Sequence, residues 1–422
     1  MDFSLSEEQQ MLKTSARDFL ETECPEDVVR KVEDEDKAYS PELWKKIADL
    51  GWLGLVYPEE YDGSEGSVMD LAVLFEELGR AMCPCPFLST VVLCGLPILE
   101  AGSDAQKKDM LPKIVNGDLI LSLAMTEPEA CWDGKGWDAE GITVKATADG
   151  DNYVIDGTKL FVWDATAADQ FLVVARTKDG GAAEDGITLF LVDAKDPKVS
   201  CTVLRTTVGD KRQAEVVFDK VKVPKANMVG PLNGGWAPLY KALKVGMILI
   251  SAEMVGAGEH ATEMSVDYAK TRIQFDMPIG INQWVQEHCV WGFANVEGTR
   301  TVVFEAAWML SEGMPCDFEV SMAKARANEA ISEAFWRAHQ VLAGVGFTTQ
   351  DGVLPLYTKR GLCQKIYLGD TDFHLEKVCQ AMEKWPEPEK PQGKALGIFD
   401  VPEDVQVPVW DVWRDQTKGK LW

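Results

Sequence analysis

Apolar residues recur every three to four positions through the first part of the chain, which is the spacing of amphipathic helices. Ser6 followed by Gln9 has the spacing of a capping box, so a helix is expected to begin there. Pro41–Leu50 and Val68–Met82 repeat the helical pattern. Together these segments predict an N-terminal helical domain over residues 1–118.

The pattern changes near residue 119 to short β-branched runs that are separated by Gly and Asp turns. These runs predict seven strands: Ile142–Ala148, Asn152–Ile155, Lys159–Trp163, Phe171–Thr177, Ile187–Val192, Cys201–Thr206 and Glu215–Val223. Asp149–Asn152 and Asp156-Gly157 are hairpin signals. No helical pattern separates the strands, and no phosphate-cradling Gly-rich loop follows them, which argues against a Rossmann unit. Residues 119–232 are therefore expected to form an antiparallel β domain, as a sheet or a barrel.

The helical period returns after Gly234-Gly235 and continues almost to the end of the chain. It predicts four helices: Trp236–Thr271, Gln283–Met309, Phe318–Leu342 and Leu354–Met382. Four long helices are enough for a C-terminal bundle, here over residues 233–385. The remaining residues, 386–422, are rich in proline and contain three tryptophans, so this tail is expected to dock on a neighbouring surface.

Charge and composition narrow the possible functions. The net charge of -26 argues against binding to nucleic acid or to an anionic membrane surface. No apolar run approaches the length of a membrane span, and the N-terminus lacks the pattern of a secretory signal. The ten cysteines and four histidines are scattered, so we expect no metal site, and reduced thiols in the cytoplasm.

Three motifs then suggest a family. They are Leu123–Pro128 (LAMTEP), Tyr268–Phe275 (YAKTRIQF) with Pro278–Gly280 and Gln283 after it, and Gln340–Phe347 (QVLAGVGF). In this order and spacing they resemble the acyl-CoA dehydrogenase superfamily to about residue 385. The resemblance implies an α+β fold with an N-terminal helical domain, a central antiparallel β domain and a C-terminal four-helix bundle.

The resemblance also implies FAD as the cofactor. It assigns to the flavin ring Met125, Thr126, Phe161 and Trp163. It assigns to the FAD of a neighbouring subunit Arg272, Phe275 and Gln283, and to the adenylate half of that FAD Gln340, Gly344 and Gly346. These residue types suit the ligand, because aromatic rings stack, the guanidinium of arginine matches a pyrophosphate, and glycine lets the backbone approach closely.

The catalytic base of the family is missing at its usual positions. The chemistry requires a carboxylate that removes the α-proton of a thioester while a β-hydride passes to the flavin. Many members carry this base in a Tyr-Glu-Gly-Thr run, but here the aligned run places Leu368 at that position. A second subgroup carries it on the first long helix of the bundle, at a position that falls near Gly246 here.

Three explanations for the missing base stay open. In the first, Asp370 or Asp372 replaces the glutamate from a shifted position. In the second, Glu253 serves as the base. In the third, this chain abstracts no α-proton and is a non-catalytic partner or runs a different reaction on an acyl-CoA. Separately, the run Gly369–His374 resembles a Gly-Asp-x-x-(aromatic)-His variant of the superfamily, in which the aspartate, here Asp370, caps the helix that begins at Thr371.

A second departure lies between residues 129 and 137. Relatives continue there with a small Gly-Ser-Asp segment near the CoA, whereas this chain has Trp132 and Trp137. These indoles would reshape the acyl cleft for a cyclic or otherwise unusual acyl group, or would only anchor the loop.

The predicted function is that of an FAD-dependent acyl-CoA dehydrogenase that forms a homo- or hetero-tetramer. It would oxidise an unusual acyl-CoA thioester and pass electrons to an electron-transfer flavoprotein or a similar acceptor. Two alternatives remain: a non-catalytic flavin- and CoA-binding subunit of a hetero-oligomer, and a lyase or reductase on the same fold.

Overall fold

The computed structural model describes residues 4–33, 35, 37, 39–130, 136–207, 211–348 and 353–383, and residues 1–379 belong to one compact unit. The N-terminal helices are α1 Glu7–Glu23, α2 Glu26–Glu33, α3 Pro41–Asp49, α4 Val68–Arg80, α5 Leu96–Ala101 and α6 Asp104–Val115. A π-helical segment, Leu88–Gly95, leads into α5. The C-terminal helices are α7 Trp236–Thr271, α8 Gln283–Ser311, α9 Asp317–Leu342, α10 Leu354–Gln364 and α11 Thr371–Glu383.

The helix termini follow the local sequence signals. Ser6 accepts a hydrogen bond from the Gln9 amide, and the Gln9 side chain returns one to the Ser6 amide, so the predicted capping box is confirmed. Ser67 and Ser103 form the same kind of cap at α4 and α6. These caps satisfy amide groups that a helix leaves without partners in its first turn.

One mixed sheet forms the centre of the described chain. Its strands are β1 Leu121–Ala124, β2 Lys145–Asp149, β3 Asn152–Val162, β4 Gln170–Arg176, β5 Ile187–Asp193, β6 Val199–Val203, β7 Ala214–Pro224 and β8 Met228–Val229. The order is β6-β7-β3-β2-β4-β5-β8, with β1 beside β4. Most pairs are antiparallel, but β4 runs parallel to both β1 and β2, so the sheet is mixed and not purely antiparallel as predicted. The predicted order of helices, sheet and helices is confirmed.

Two details of the predicted sheet are wrong. Asp156-Gly157 is not a hairpin, because β3 continues through it as a bulge where the register with β7 shifts and Gly157 has a φ of +152°. The two predicted strands on either side of it are therefore one. The prediction also missed two short strands: β1, whose four buried residues show no alternation, and the two-residue β8. The turn at Gly150 is a hairpin, as predicted.

The last predicted helix is also wrong, since Leu354–Met382 contains two helices. The chain leaves the helical conformation between α10 and α11, where Leu368 has a φ of +59° and Gly369 a φ of +109°. Left-handed backbone at two successive residues cannot continue a right-handed helix. The break produces the turn between α10 and α11, which carries Leu368.

Both faces of the sheet are buried in the part of the chain that is described. Along β4, Leu172 and Val174 belong to a large core shared with the helices, whereas Phe171, Val173 and Ala175 belong to a second core within the sheet. The alternation follows from the two-residue period of a strand. None of the described helices has an apolar stretch long enough to span a lipid bilayer. The predicted tail, 386–422, lies outside the described residues, and the division into domains stays a prediction.

Candidate active site

Met125 and Thr126 follow β1 and are fixed to β3 by two hydrogen bonds. The Leu160 amide donates to the Thr126 carbonyl at 2.8 Å. The side-chain amine of Lys159 donates to the Met125 carbonyl at 3.0 Å. The Thr126 hydroxyl donates to the Gly136 carbonyl at 3.3 Å, and both predicted flavin contacts are buried. The backbone here is therefore held in one place, as binding to a planar ring requires.

A buried ion pair that the sequence did not reveal supports this segment. Lys159 Nζ lies 2.6 Å from Glu127 Oε1, and both side chains are fully buried. The Glu127 carboxylate also accepts from the amide and hydroxyl of Thr143, at 2.9 and 2.5 Å, and from the Val144 amide at 3.0 Å. Burial lowers the pKa of Lys159, and Glu127 opposes that shift. The available signal was a lysine at the start of the otherwise apolar run Lys159–Trp163.

Three aromatic rings meet where β3 ends. The ring centroid of Trp163 lies 5.3 Å from that of Trp137 and 4.7 Å from that of Tyr367, and Trp163 is buried. We call Trp137, Trp163 and Tyr367 the aromatic cluster. Phe161 lies two residues before Trp163 and remains half-buried. The fold thus brings the predicted flavin strand beside the turn between α10 and α11. Trp132 lies outside the described residues.

Leu368 and Gly246, at or near which the resemblance places the catalytic glutamate, face each other. A Cβ atom added to Gly246 in α7 would lie 2.9 Å from Leu368 Cδ1 and 2.9 Å from Leu93 Cδ2. Leu368 is fully buried. A carboxylate at either position would therefore enter the same apolar space, and in this chain the Leu368 side chain occupies that space.

The acids named as substitutes have other contacts. Asp370 is exposed, and its Oδ1 accepts a hydrogen bond from the Phe373 amide at 2.9 Å, which is the contact of a helix cap on α11. Glu253 is buried on α7, and its carboxylate oxygens lie 3.3 and 3.4 Å from Lys211 Nζ. Asp372 is exposed in the first turn of α11. The cap predicted for Asp370 is thus present, and its catalytic role stays a prediction.

The other predicted FAD residues form a second group at the far end of α7. A two-residue turn, Phe275-Asp276, joins the strands β9 Ile273–Gln274 and β10 Met277–Pro278. Phe275 is 96% exposed, and Arg272 and Gln283 on either side of the hairpin are exposed too.

Gln340 and Gly344 lie at the C-terminal end of α9 and are exposed. This end of α9 packs near the start of α8, because the His288 ring lies 5.7 Å from that of Trp336. The fold therefore brings the α9 terminus to the same side of the bundle as Gln283.

Left-handed backbone conformations mark several of these segments. Phe161, Asp164, Phe275, Ala343 and Leu368 all have φ values between 50° and 59°. For a residue with a side chain such a conformation costs about 1–3 kcal/mol, and it persists at sites where surrounding structure enforces it. Three of the positions are bulky apolar residues. Other residues with positive φ, such as Asp62 and Lys220, lie outside these segments, so the conformation by itself does not mark the site.

The surface around the second group fits the pyrophosphate and adenylate of FAD. Arg272 makes no ion pair with any other described residue, so its guanidinium is available to an anion. A Cβ atom added to Gly344 would meet nothing within 4 Å. Nothing in the described chain therefore requires a glycine there, and the open space beside the backbone would let a ligand approach it closely.

Known protein families match this chain in three consecutive segments, which correspond to the N-terminal helices, the sheet and the C-terminal helices. Models of the N-terminal, middle and C-terminal domains of acyl-CoA dehydrogenase match residues 6–118, 122–221 and 233–383. The 3-(aryl)acrylate reductase of Clostridium sporogenes is 32% identical over 83% of this chain and 92% of its own length. A subunit of the caffeyl-CoA reductase-Etf complex of Acetobacterium woodii, CarC, is 30% identical over 83% and 92%.

Solved structures show the same relationship. Butyryl-CoA dehydrogenase from Megasphaera elsdenii superposes with a TM-score of 0.83, with 29% identity over 91% of this chain and all of the other. The FAD complex of PigA gives a TM-score of 0.83 with 25% identity, over 91% of this chain and 99% of the other. The chain belongs to the acyl-CoA dehydrogenase family, whose members are FAD-dependent oxidoreductases.

Proposed function

We propose that this protein transfers a hydride between FAD and an acyl-CoA whose acyl group is aromatic or cyclic. The aromatic cluster carries the proposal. Trp163 and Tyr367 are buried, and half-buried Trp137 packs on Trp163, so the ring of Trp137 is the surface of the cluster that would meet the acyl group. Such rings favour a flat acyl group over a flexible chain, because offset stacking adds about 0.5–1.5 kcal/mol per pair. Two of the relatives act on aryl compounds, as their names state.

The cofactor would lie between the two groups of site residues. FAD supplies the acceptor for the β-hydride of the substrate. Met125 and Thr126 would bind the polar edge of the flavin, with Phe161 and Trp163 along its ring. Arg272, Phe275 and Gln283 would come from a second subunit, with Gln340 and Gly344 at the adenylate half. The exposure of Phe275 supports this arrangement, since the described residues of its own subunit leave this aromatic side chain 96% exposed.

The proton transfer is assigned to Asp370 in this proposal. Asp370 follows the turn between α10 and α11. To act as the base, its carboxylate would have to leave the hydrogen bond from the Phe373 amide and bind the substrate instead. Asp370→Asn tests the assignment, because asparagine also caps helices but cannot accept the proton. Loss of turnover with unchanged thermal stability supports Asp370 as the base, and full activity of the variant rejects it.

One observation favours a second candidate function. Leu368 and Gly246 occupy both usual base positions, and the Leu368 side chain occupies the space that the carboxylate would need. In this alternative the chain is the subunit of a hetero-oligomer that binds flavin and CoA without abstracting an α-proton. The partner subunit would then carry the base.

Anaerobic mixing with acyl-CoAs separates these candidates. The purified protein with FAD is mixed with arylpropionyl-CoA, cyclohexanecarboxyl-CoA, butyryl-CoA and octanoyl-CoA, and flavin absorbance is followed. Faster bleaching by the aryl or cyclic thioesters supports the first candidate. Equal bleaching by the straight chains would contradict the role of the aromatic cluster. No bleaching by any of them, combined with binding of CoA thioesters, supports the second candidate.

The electron partner belongs to the same proposal. An electron-transfer flavoprotein in the cytoplasm would accept the electrons, or would supply them if the enzyme runs as a reductase. One relative is a subunit of a reductase-Etf complex. A stopped-flow experiment with photoreduced enzyme and an arylacryloyl-CoA tests the reductive direction. Reoxidation of the flavin by this thioester and not by its saturated analogue is expected for a reductase.

A further inference from the structure

A fully buried lysine lies directly beneath the turn between α10 and α11. Lys324 Nζ in α9 donates to Asn328 Oδ1 at 2.5 Å, and to the carbonyls of Gln364 at 3.1 Å and Gly369 at 3.4 Å. Among the described residues, no carboxylate forms a salt bridge with Lys324. Three neutral acceptors therefore surround its charge, and one of them is the backbone of the turn itself.

The charge of Lys324 changes close to neutral pH. Burial lowers its pKa from 10.5 to about 7, while Asp370 acts against this shift and Lys365 adds to it. Lys365 is itself paired with Glu329 at 2.7 Å. On the α11 side, burial lowers the pKa of His374 to about 3, so this imidazole is neutral over the range in which Lys324 titrates.

The surroundings of Lys324 are polar and incompletely paired. Four buried side-chain atoms next to it have no hydrogen-bond partner among the described residues: Asn328 Nδ2, Gln364 Nε2, Gln364 Oε1 and His374 Nδ1. Buried polar atoms in native proteins are almost always paired, by protein or by water. The backbone of the turn thus rests on polar, incompletely paired groups, while the side chains of Tyr367 and Leu368 pack in the apolar core.

The turn controls where residue 368 points. His374 Nε2 lies 3.0 Å from the Leu368 carbonyl, and Lys324 holds the next carbonyl, that of Gly369. These contacts hold Leu368 in its left-handed conformation. In that conformation its side chain enters the notch at Gly246, the apolar space that the missing Cβ atom of this glycine leaves open. Without them the backbone strain at Leu368 favours another direction for this side chain.

We propose that Lys324 is a positioning residue that fixes the turn Tyr367–Gly369 against the cleft, and that the turn closes more firmly when Lys324 loses its proton. The relevance of this device to catalysis rests on the proposed function. The device itself does not, because the closure of the turn is measured without substrate or turnover.

The direction of the pH effect follows from how strongly Lys324 binds a proton in the closed and open states of the turn. When it is closed, Lys324 is buried and binds a proton weakly. When it is open, water reaches the ammonium group and the pKa returns toward 10.5. The open state thus binds more protons between pH 7 and 10.5, and raising the pH through this window favours the closed state. With these two pKa values the opening equilibrium falls about tenfold between pH 6 and pH 8.

Hydrogen exchange measured by mass spectrometry tests this on the intact protein. Protection of peptides covering 366–370 is measured at pH 6, 7 and 8, each corrected for the intrinsic exchange rate at that pH. About tenfold greater protection at pH 8 than at pH 6 is expected. Protection that stays constant, or that falls as the pH rises, overturns the proposal even if every variant fails to fold.

Two variants and one control give the matched comparison. Lys324→Met is never charged and Lys324→Arg is always charged, so the pH dependence of protection should disappear in both. Lys241→Met removes an exposed lysine that pairs with Glu100 at the surface and lies outside the set of charges that shift Lys324, so it should keep the tenfold dependence. A Lys324→Met protein of normal melting temperature that retains the wild-type pH dependence contradicts the assignment to Lys324.

Discussion

Replacing Leu368 by glutamate tests whether this chain lacks only its base. Leu368 is fully buried and contacts the notch at Gly246, where a carboxylate from either position would enter the same space. Leu368→Glu therefore places an acid where the family usually has one, without adding a branched side chain to the notch. We expect the variant to reduce its flavin with an acyl-CoA faster than the wild-type protein.

Two effects of Leu368→Glu can be estimated, namely the gain in the rate of flavin reduction and the loss of folding stability. A positioned general base contributes about 100- to 10,000-fold to a proton-transfer step, so flavin reduction should accelerate within that range. Burial in an apolar notch also raises the pKa of a carboxyl group, which brings the base closer to neutral pH. Exchanging a fully buried leucine for a polar side chain costs about 2–4 kcal/mol of folding stability. An average domain tolerates that loss, because its total stability is roughly 5–15 kcal/mol.

The assay is anaerobic stopped-flow reduction of the flavin by saturating acyl-CoA, with Leu368→Gln as the matched control. Glutamine has the shape of glutamate and accepts no proton, so the control should lose stability without gaining rate. A folded, flavin-loaded Leu368→Glu protein that reacts no faster than Leu368→Gln refutes the reasoning.

A second variant places a carboxylate in the same space from Gly246 on α7. In Gly246→Glu the new side chain would meet Leu368 Cδ1 and Leu93 Cδ2 at 2.9 Å, so the change is combined with Leu368→Ala to make room. If the two positions are equivalent, this double variant should also gain rate over Leu368→Ala alone. Rescue from one position but not the other would show that the direction of the carboxylate matters, and not only its location.

Three further substitutions test contacts around the site. Asp370→Ala should destabilise the protein by about 1 kcal/mol in urea unfolding, and Asp370→Asn by only a few tenths, because only alanine removes the α11 cap; equal losses would contradict the cap. Lys159→Met should cost about 3–5 kcal/mol in the same measurement, since Glu127 would stay buried without its counter-charge, and the double change Lys159→Met/Glu127→Gln should recover part of that loss. Phe275→Ala should change unfolding by less than about 0.5 kcal/mol but lower the flavin content of the purified protein, because a side chain that is 96% exposed contributes little to its own subunit; unchanged flavin content would remove Phe275 from the cofactor site.

Several parts of the fold could be predicted because neighbouring residues determine them. The capping box at Ser6 satisfies its own amides, and the turn at Gly150 forms a two-residue hairpin within a single stretch of chain. The bounds of α7 were predicted correctly from the helical period alone. The turn between α10 and α11 was missed, because the helical period continues across it and Leu368 gives no sign that it adopts a left-handed conformation.

By itself, the sequence determined which segments are helices and strands, which motifs suggest FAD, and that the expected glutamate is absent. Only the tertiary structure decided that Gly246 and Leu368 face one another, that Trp163 lies between Trp137 and Tyr367, and that Lys324 supports the turn. The physical reason is that caps, hairpins and helical periods depend on residues a few positions apart. Contacts between distant segments depend instead on how helices and sheet pack, and no local pattern encodes them.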